Sequence, residues 1–303
     1  MRHVDRPSPS TQHLVFNLYG DYLVRWGGAA PTAGLLEVLR VLGVGERAAR
    51  STLSRMKQRG WLVARRFGRR SAYAVTPRGR TLLEEGDRRI FGDREQAWDG
   101  RWHLITYSLP PSRRLTRHHL RTRLMWLGYG SLQPGVVISA FARAEEVAAV
   151  LGELKAGPDV HVFAGAHLPA DEAGRIVSRC WDLTAIDDRY AQFLNRYAPL
   201  ARELRRRRTA IAPVEGFQWR FWATYDYSEF PRIDPFLPID LLPRGWRGDT
   251  AYELLRELRE TLRRPAETYL QETLGLDALP AQPQAPRRRR TAEPILPGEG
   301  ARR

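Results

Sequence analysis

The sequence predicts an α+β protein of three folded segments followed by a tail, and three observations carry that prediction. Helical spacing of apolar residues, alternation in short runs, and a bias of positive charge toward the N-terminus divide the 303 residues into regions of different character. The segments are expected at residues 11–92, 98–168 and 175–275, with a Pro- and Arg-rich tail at 280–303. A hydrophobic fraction of 43% is enough for packed cores, and more than one domain suits the length.

In the first segment Leu14, Val15, Leu18 and Tyr22 have amphipathic spacing, so Thr11 to Tyr22 reads as a helix, and Gly27 and Gly28 end it. A second helix is expected over Thr32 to Leu42, capped by Thr32, with Leu35, Leu36, Leu39 and Leu42 inward and Gly43 as its stop. A third, Glu46 to Arg59, sets Ala49, Leu53 and Met56 on one stripe, while Arg47, Arg50, Ser51, Ser54 and Gln58 share the opposite face. Trp61 to Arg66 and Ser71 to Thr76 alternate as a hairpin whose tip is Phe67, Gly68, Arg69 and Arg70. Helix, helix, helix, basic hairpin is the order of a winged helix-turn-helix. Thr76 and Pro77 start a further helix through about Phe91, and Gly92 to Gly100 form a polar connector.

The second segment changes pattern. Strands at Trp102–Leu109, Val136–Phe141 and Val160–Ala164 alternate with helices at Ser112–Leu127 and Ala144–Leu154, the arrangement of a small split βαβ, ferredoxin-like sandwich. Gly128 and Gly130 read as a turn into a strand. The third segment is mainly helical, with Leu183–Arg208 and Thr250–Tyr269 flanking an unusually aromatic stretch, Pro213–Phe230. From Pro280 onward the composition forbids a packed core.

Charge narrows the partners. The formal net charge is +15 and the sequence pI about 10.7, which favours polyanions, nucleic acid first and an anionic membrane surface second. Residues 1–94 hold eighteen Arg or Lys against eight Asp or Glu, so the basic surface is mostly N-terminal. No run of 18 apolar residues appears and Met1 to Ser10 has no apolar core, so a cytoplasmic protein without membrane span or secretory signal is expected. The lone Cys180, beside Trp181, reads as a buried thiol.

A recognition helix must present side chains to base edges while its back is pinned to a core. The third helix supplies both faces. Arg47 and Arg50 can each donate two bonds to guanine, Ser51 and Ser54 can reach base or phosphate, and Gln58 can pair with adenine. Arg69 and Arg70 at the hairpin tip suit a minor groove, while Lys57 and Arg65 suit phosphate. A solvated basic surface would explain any one of these, but the ordered combination favours DNA. No GxSxG, HExxH, P-loop or dinucleotide fingerprint occurs in its required context. His118 and His119 sit about 100° apart on a helix and cannot chelate one ion together. The residues therefore describe a binding protein with no cofactor or metal, rather than an enzyme.

The runs HLVFNLYGDYLVRWGG and GERAARSTLSRMKQRGWLVARRFGRRSAYAVTPRG resemble the N-terminal domain of the PaaX family, repressors of phenylacetic acid degradation operons. WDGRWHLITYSLP and LRTRLMWLGYGSLQPGVVIS resemble that family's central Cas2-like domain, and IDPFLPIDLLPRGW its C-terminal domain. The resemblance spans Thr11 to about Leu274. It implies a homodimeric repressor on a palindromic operator, released by an acyl-CoA such as phenylacetyl-CoA, in an aromatic-acid catabolic operon. The aromatic stretch then offers Trp219, Arg220, Trp222 and Tyr225 as effector contacts, with Arg220 or the Arg205–Arg208 run receiving phosphates; an ordinary hydrophobic core is the plainer reading. One departure is that the family often carries basic residues shortly before the Asp234–Pro235 pair, where this chain has Ser228 and Glu229, which points to a different acyl group or effector. Likeness to Cas2 also raises a metal-dependent nuclease, but the first strand of the central segment ends Tyr107, Ser108, Leu109, with no carboxylate for a hard cation. An architectural DNA-binding protein without effector is the other alternative.

Overall fold

The N-terminal region begins with α1 (Thr11–Leu18), which continues into one π-helical turn, Tyr19–Leu23, and a 3-10 turn, Val24–Trp26. The computed structural model describes residues 9–67, 70–92, 98–167 and 170–275. Leu14, Val15, Leu18, Tyr22 and Leu23 are buried, so the apolar stripe read from the sequence faces the core. β1 (Ala29–Pro31) and α2 (Thr32–Val41) follow, then α3 (Glu46–Gln58), β2 (Leu62–Phe67), β3 (Arg70–Val75) and α4 (Pro77–Phe91). The three strands form an antiparallel sheet in the order β1-β3-β2.

β1 was not foreseen, because three apolar residues after two glycines show no alternation. It changes the start of α2. Pro31, paired with Ala72, is the last strand residue and the position before the helix, so Thr32 is not the cap; its hydroxyl accepts instead from Ser71 Oγ at 3.0 Å. α4 starts as expected, with Thr76 Oγ1 accepting from Gly79 N at 3.0 Å and Pro77 in the first turn. Gly79 is required there: a Cβ would stand 2.2 Å from the Trp61 carbonyl oxygen.

The central region is β4 (Trp102–Tyr107), α5 (Arg114–Trp126), β5 (Gly130–Gln133), β6 (Val136–Ser139), α6 (Ala144–Leu154) and β7 (Val160–Ala166). Its antiparallel sheet runs β5-β6-β4-β7, the βαββαβ topology of a ferredoxin-like sandwich. β4 stops at Tyr107 rather than Leu109, two residues short of expectation, as Pro110 and Pro111 approach. One sheet face (Ile105, Val137) packs with Leu120 and Leu124 of α5 and Val147 and Val150 of α6. Trp102 and Ile138 belong to the core of the C-terminal helices.

Those helices are α7 (Ala170–Cys180), α8 (Leu183–Arg206), α9 (Pro213–Tyr227), the short α10 (Phe230–Ile233), α11 (Gly248–Thr261) and α12 (Arg263–Leu274). α7 was not anticipated. The single helix expected over Thr250–Tyr269 is two, broken at Leu262, because Pro265 in the next turn has no N–H with which to continue the ladder. The aromatic stretch is α9, and it is buried nearly all round: Phe217, Phe221 and Tyr225 join the N-terminal core, whereas Trp219, Ala223 and Tyr227 join the C-terminal one. α12 also enters the first core, and a Cβ on Gly34 of α2 would lie 2.6 Å from the Thr273 carbonyl, so the two helices touch backbone to backbone. No helix among the described residues is long and apolar enough to cross a membrane.

Candidate nucleic-acid interface

α3 is held by Ala49, Thr52, Leu53 and Met56, all buried, and Gly45 before it supplies an extended N-terminal residue without a side-chain cap. Arg47, Arg50, Ser51, Lys57 and Gln58 are exposed and Ser54 is half-buried, so one exposed ridge carries Arg47, Arg50 or Ser51, Ser54 and Gln58 in successive turns. Arg50 Nε donates to Glu46 Oε1 at 2.8 Å, an exposed i,i+4 pair that holds the guanidinium only weakly and leaves it available to another acceptor. Arg55 donates to Thr52 Oγ1 at 3.1 Å, and Arg59 reaches back to Gln12 on α1 at 2.7 Å, tying the helix end to its neighbour.

The hairpin extends from that helix. Thr76 Oγ1 donates to the Gly60 carbonyl at 2.6 Å, closing the base of the hairpin against the end of α3. Arg65 on β2 and Arg70 on β3 are exposed, with Arg65 opposite Ala72 and Arg70 opposite Phe67. Arg69 lies outside the described residues. The structure thus places the ridge residues of α3 on one helix, with Arg65 and Arg70 on the ribbon beside it.

The four effector candidates share α9 but not one surface. Trp219 packs in the C-terminal core with Arg207 over its ring at 5.8 Å. Arg220 is buried: Nη1 and Nη2 donate to Asp21 at 2.6 and 3.2 Å, and Nε donates to the Arg259 carbonyl at 3.1 Å. Its donors face protein acceptors, which removes the phosphate role sequence reasoning gave it. Trp222 is half-buried against Phe221 and Tyr225. Tyr225 reaches a cavity, its ring 4.7 Å from that of His13. Arg205 of the basic run pairs with Glu257, and Arg207 with Glu215 at 3.2 Å.

Sequence reasoning missed Asp21 and His13. The signal for Asp21 was present, since an acid seven residues after Leu14 and three after Leu18 lies on the buried face of its helix and demands a partner. His13 offered no such sign, because the groups around it are more than 200 residues away: Ser228 Oγ is 3.2 Å from its Nε2, and Arg232 and Glu229 are its charged neighbours. Burial and the Arg232 charge lower the His13 pKa, and Glu229 opposes them. Cys180 is half-buried, and burial pushes its thiol up to about 11. His118 and His119 are exposed, and among the described residues no group of three His, Cys, Asp or Glu is placed to hold a metal ion.

Family models match in three consecutive pieces: PaaX-like protein at residues 10–79, the PaaX protein central Cas2-like domain at 95–177, and the PaaX-like protein C-terminal domain at 181–272. The transcriptional repressor PaaX of Escherichia coli (strain K12) is 31% identical over 264 residues, covering 86% of this chain and 82% of that protein. Among solved structures, an uncharacterised protein of Mycobacterium tuberculosis, Rv0674, shares the fold with a TM-score of 0.57 at 20% identity, over 86% of this chain and 98% of its own. With its three segments matched in order and a relative at this identity over most of both lengths, the chain belongs to the PaaX family.

Proposed function

We propose that this protein is a transcriptional repressor that binds duplex DNA through a winged helix-turn-helix at residues 11–92, with α3 as the recognition helix. The observation that carries the reading is the exposed ridge of Arg47, Arg50, Ser51, Ser54 and Gln58 on a helix whose opposite face is buried. In a major groove about 12 Å wide, such a ridge reaches base edges. Lys57 and Arg65 then contact phosphate, and Arg69 and Arg70 at the ribbon end enter the adjacent minor groove. A homodimer, assembled through the ferredoxin-like segment at 98–168, sets two copies of α3 on the half-sites of a palindromic operator.

The C-terminal segment, 175–275, receives the effector, an acyl-CoA of the phenylacetyl-CoA type, and the operator controls an aromatic-acid catabolic operon. α9 supports this reading because its aromatic side chains enter both the core beneath α3 and the C-terminal core, so a ligand that shifts α9 acts on the DNA-binding region. Coupling of about 1–3 kcal/mol lowers operator affinity roughly 5- to 150-fold.

The test is binding of the purified protein to promoter DNA of its own gene neighbourhood at fixed salt, with and without phenylacetyl-CoA and other acyl-CoAs. Specific binding released by one thioester is expected. Equal binding to unrelated DNA of the same length would replace the repressor with an architectural protein, and specific binding that no thioester disturbs would remove the effector.

A further inference from the structure

Between the start of α1 and the helices α8, α9 and α10 lies a cavity of about 640 Å³. Its lining is two-natured. Phe193, Tyr197, Tyr225 and Phe230 make it aromatic, while Arg189, Arg196 and Arg232 bring three guanidinium groups to it. Arg196 is used internally, donating to Asp226 at 2.8 Å. Arg189 and Arg232 are exposed, and among the described residues neither guanidinium has an ion pair or hydrogen bond. Two uncommitted forks in a cavity also lined by aromatic rings suit a phosphorylated ligand with a large organic body.

A second cavity of about 440 Å³ shares His13 and Arg232 with the first. Phe16, Trp61, Leu83, Ile90, Phe91 and Trp126 make it predominantly apolar. Asn17 also lines it, and among the described residues its buried Oδ1 has no donor. Trp61 lies in the short link between α3 and β2, immediately before the strand, and its ring lies 5.1 Å from Phe16. Anything occupying this chamber therefore touches the junction of the recognition helix and the hairpin as well as α1, α4 and α10.

The geometry points to one bipartite effector site: Arg189 and Arg232 hold the phosphates of a coenzyme A thioester, and the acyl group passes His13 into the apolar chamber against Trp61. This rests on the effector reading above and gives it a location distinct from the buried Arg220. Glu229, also in the first cavity, is placed to accept from an amide or amine of the ligand. Release of DNA follows when the acyl group moves the α3–β2 junction.

Two variants of the full-length protein test the two halves separately, with coenzyme A and phenylacetyl-CoA as probes in titration calorimetry. R189A/R232A removes the phosphate forks and is expected to weaken both probes about tenfold or more, the effect of losing charge-assisted hydrogen bonds. Gly86 lines the second chamber and a Cβ there meets nothing within 4 Å, so Gly86→Trp adds bulk at that chamber without a clash at Cβ. It is expected to weaken the thioester while leaving free coenzyme A unchanged. Melting temperatures close to that of the unaltered protein verify folding. If the thioester binds and releases operator DNA from the parent protein and from both variants alike, the location is overturned and the effector reading stands. If the parent protein binds operator but neither probe, both fall and the DNA-binding reading remains.

Discussion

Arg220 Nη1 lies 2.6 Å from Asp21 Oδ2, and both side chains are only 3% exposed. One residue belongs to α9 and the other to the π-helical turn after α1, so this buried pair fastens the C-terminal region to the N-terminal region. Arg259 adds a second bond to the same carboxylate at 2.7 Å, and the Arg220 guanidinium sits 4.6 Å from the Tyr22 ring centroid. Removing one partner strands a charge in an apolar setting, at a cost of about 3–5 kcal/mol. D21A should lower stability by that order in chemical denaturation, and R220A by less, because Arg259 still pairs with the Asp21 carboxylate. Because both remove the same interaction, the double variant should cost far less than the sum, and strict additivity would show that the pair carries no coupling.

For DNA, the expected signatures of the ridge and of the phosphate contacts differ. Arg47→Ala should cost about 1–3 kcal/mol on the operator and relax preference at one base position. Lys57→Ala should weaken all sequences alike and reduce the slope of log affinity against log salt by about 1. Fluorescence anisotropy over a salt series, with operator and scrambled duplexes, separates the two. A Lys57 effect restricted to the operator would reverse its assignment.

Two glycines on one helix should respond oppositely. At Gly79 a Cβ meets the Trp61 carbonyl at 2.2 Å, so Gly79→Ala forces α4 off the hairpin base and should destabilise by about 1–3 kcal/mol. At Gly86 a Cβ meets nothing within 4 Å, and Gly86→Ala should stabilise by about 0.4–1 kcal/mol through lower chain entropy. Thermal melting of both variants reads the signs directly.

His13 predicts a pH effect. Burial first, then the Arg232 charge, lowers its folded pKa below the ordinary value of 6.5, against the opposing pull of Glu229. The unfolded chain therefore takes the proton more readily, and the His13 contribution to stability is present above about pH 6.5 and is lost as pH falls through the lower folded value. His13→Asn should flatten the stability profile over that acidic range in urea titrations, and an unchanged slope would mean that His13 is not titrating there.

Much of this protein was determined locally. The spacing of Leu14, Leu18 and Tyr22, the two faces of α3, the Thr76–Pro77 start of α4 and the exact span of α6 follow from side-chain periodicity and capping, which act within a few residues. The ridge Arg47, Ser51, Ser54 and Gln58 was legible for the same reason, since helical phase alone sets which side chains share a face. β1 was not, because a three-residue strand is stabilised by its partner β3 and not by its own pattern. Nor could periodicity show what α9 would meet: a helix apolar on all sides buries every face, and only packing decided that Phe217 goes to one core and Trp219 to the other. The Arg220–Asp21 pair and the cavity around His13 bring together side chains about 200 residues apart, and such meetings are set by how the helices dock, which no local rule encodes.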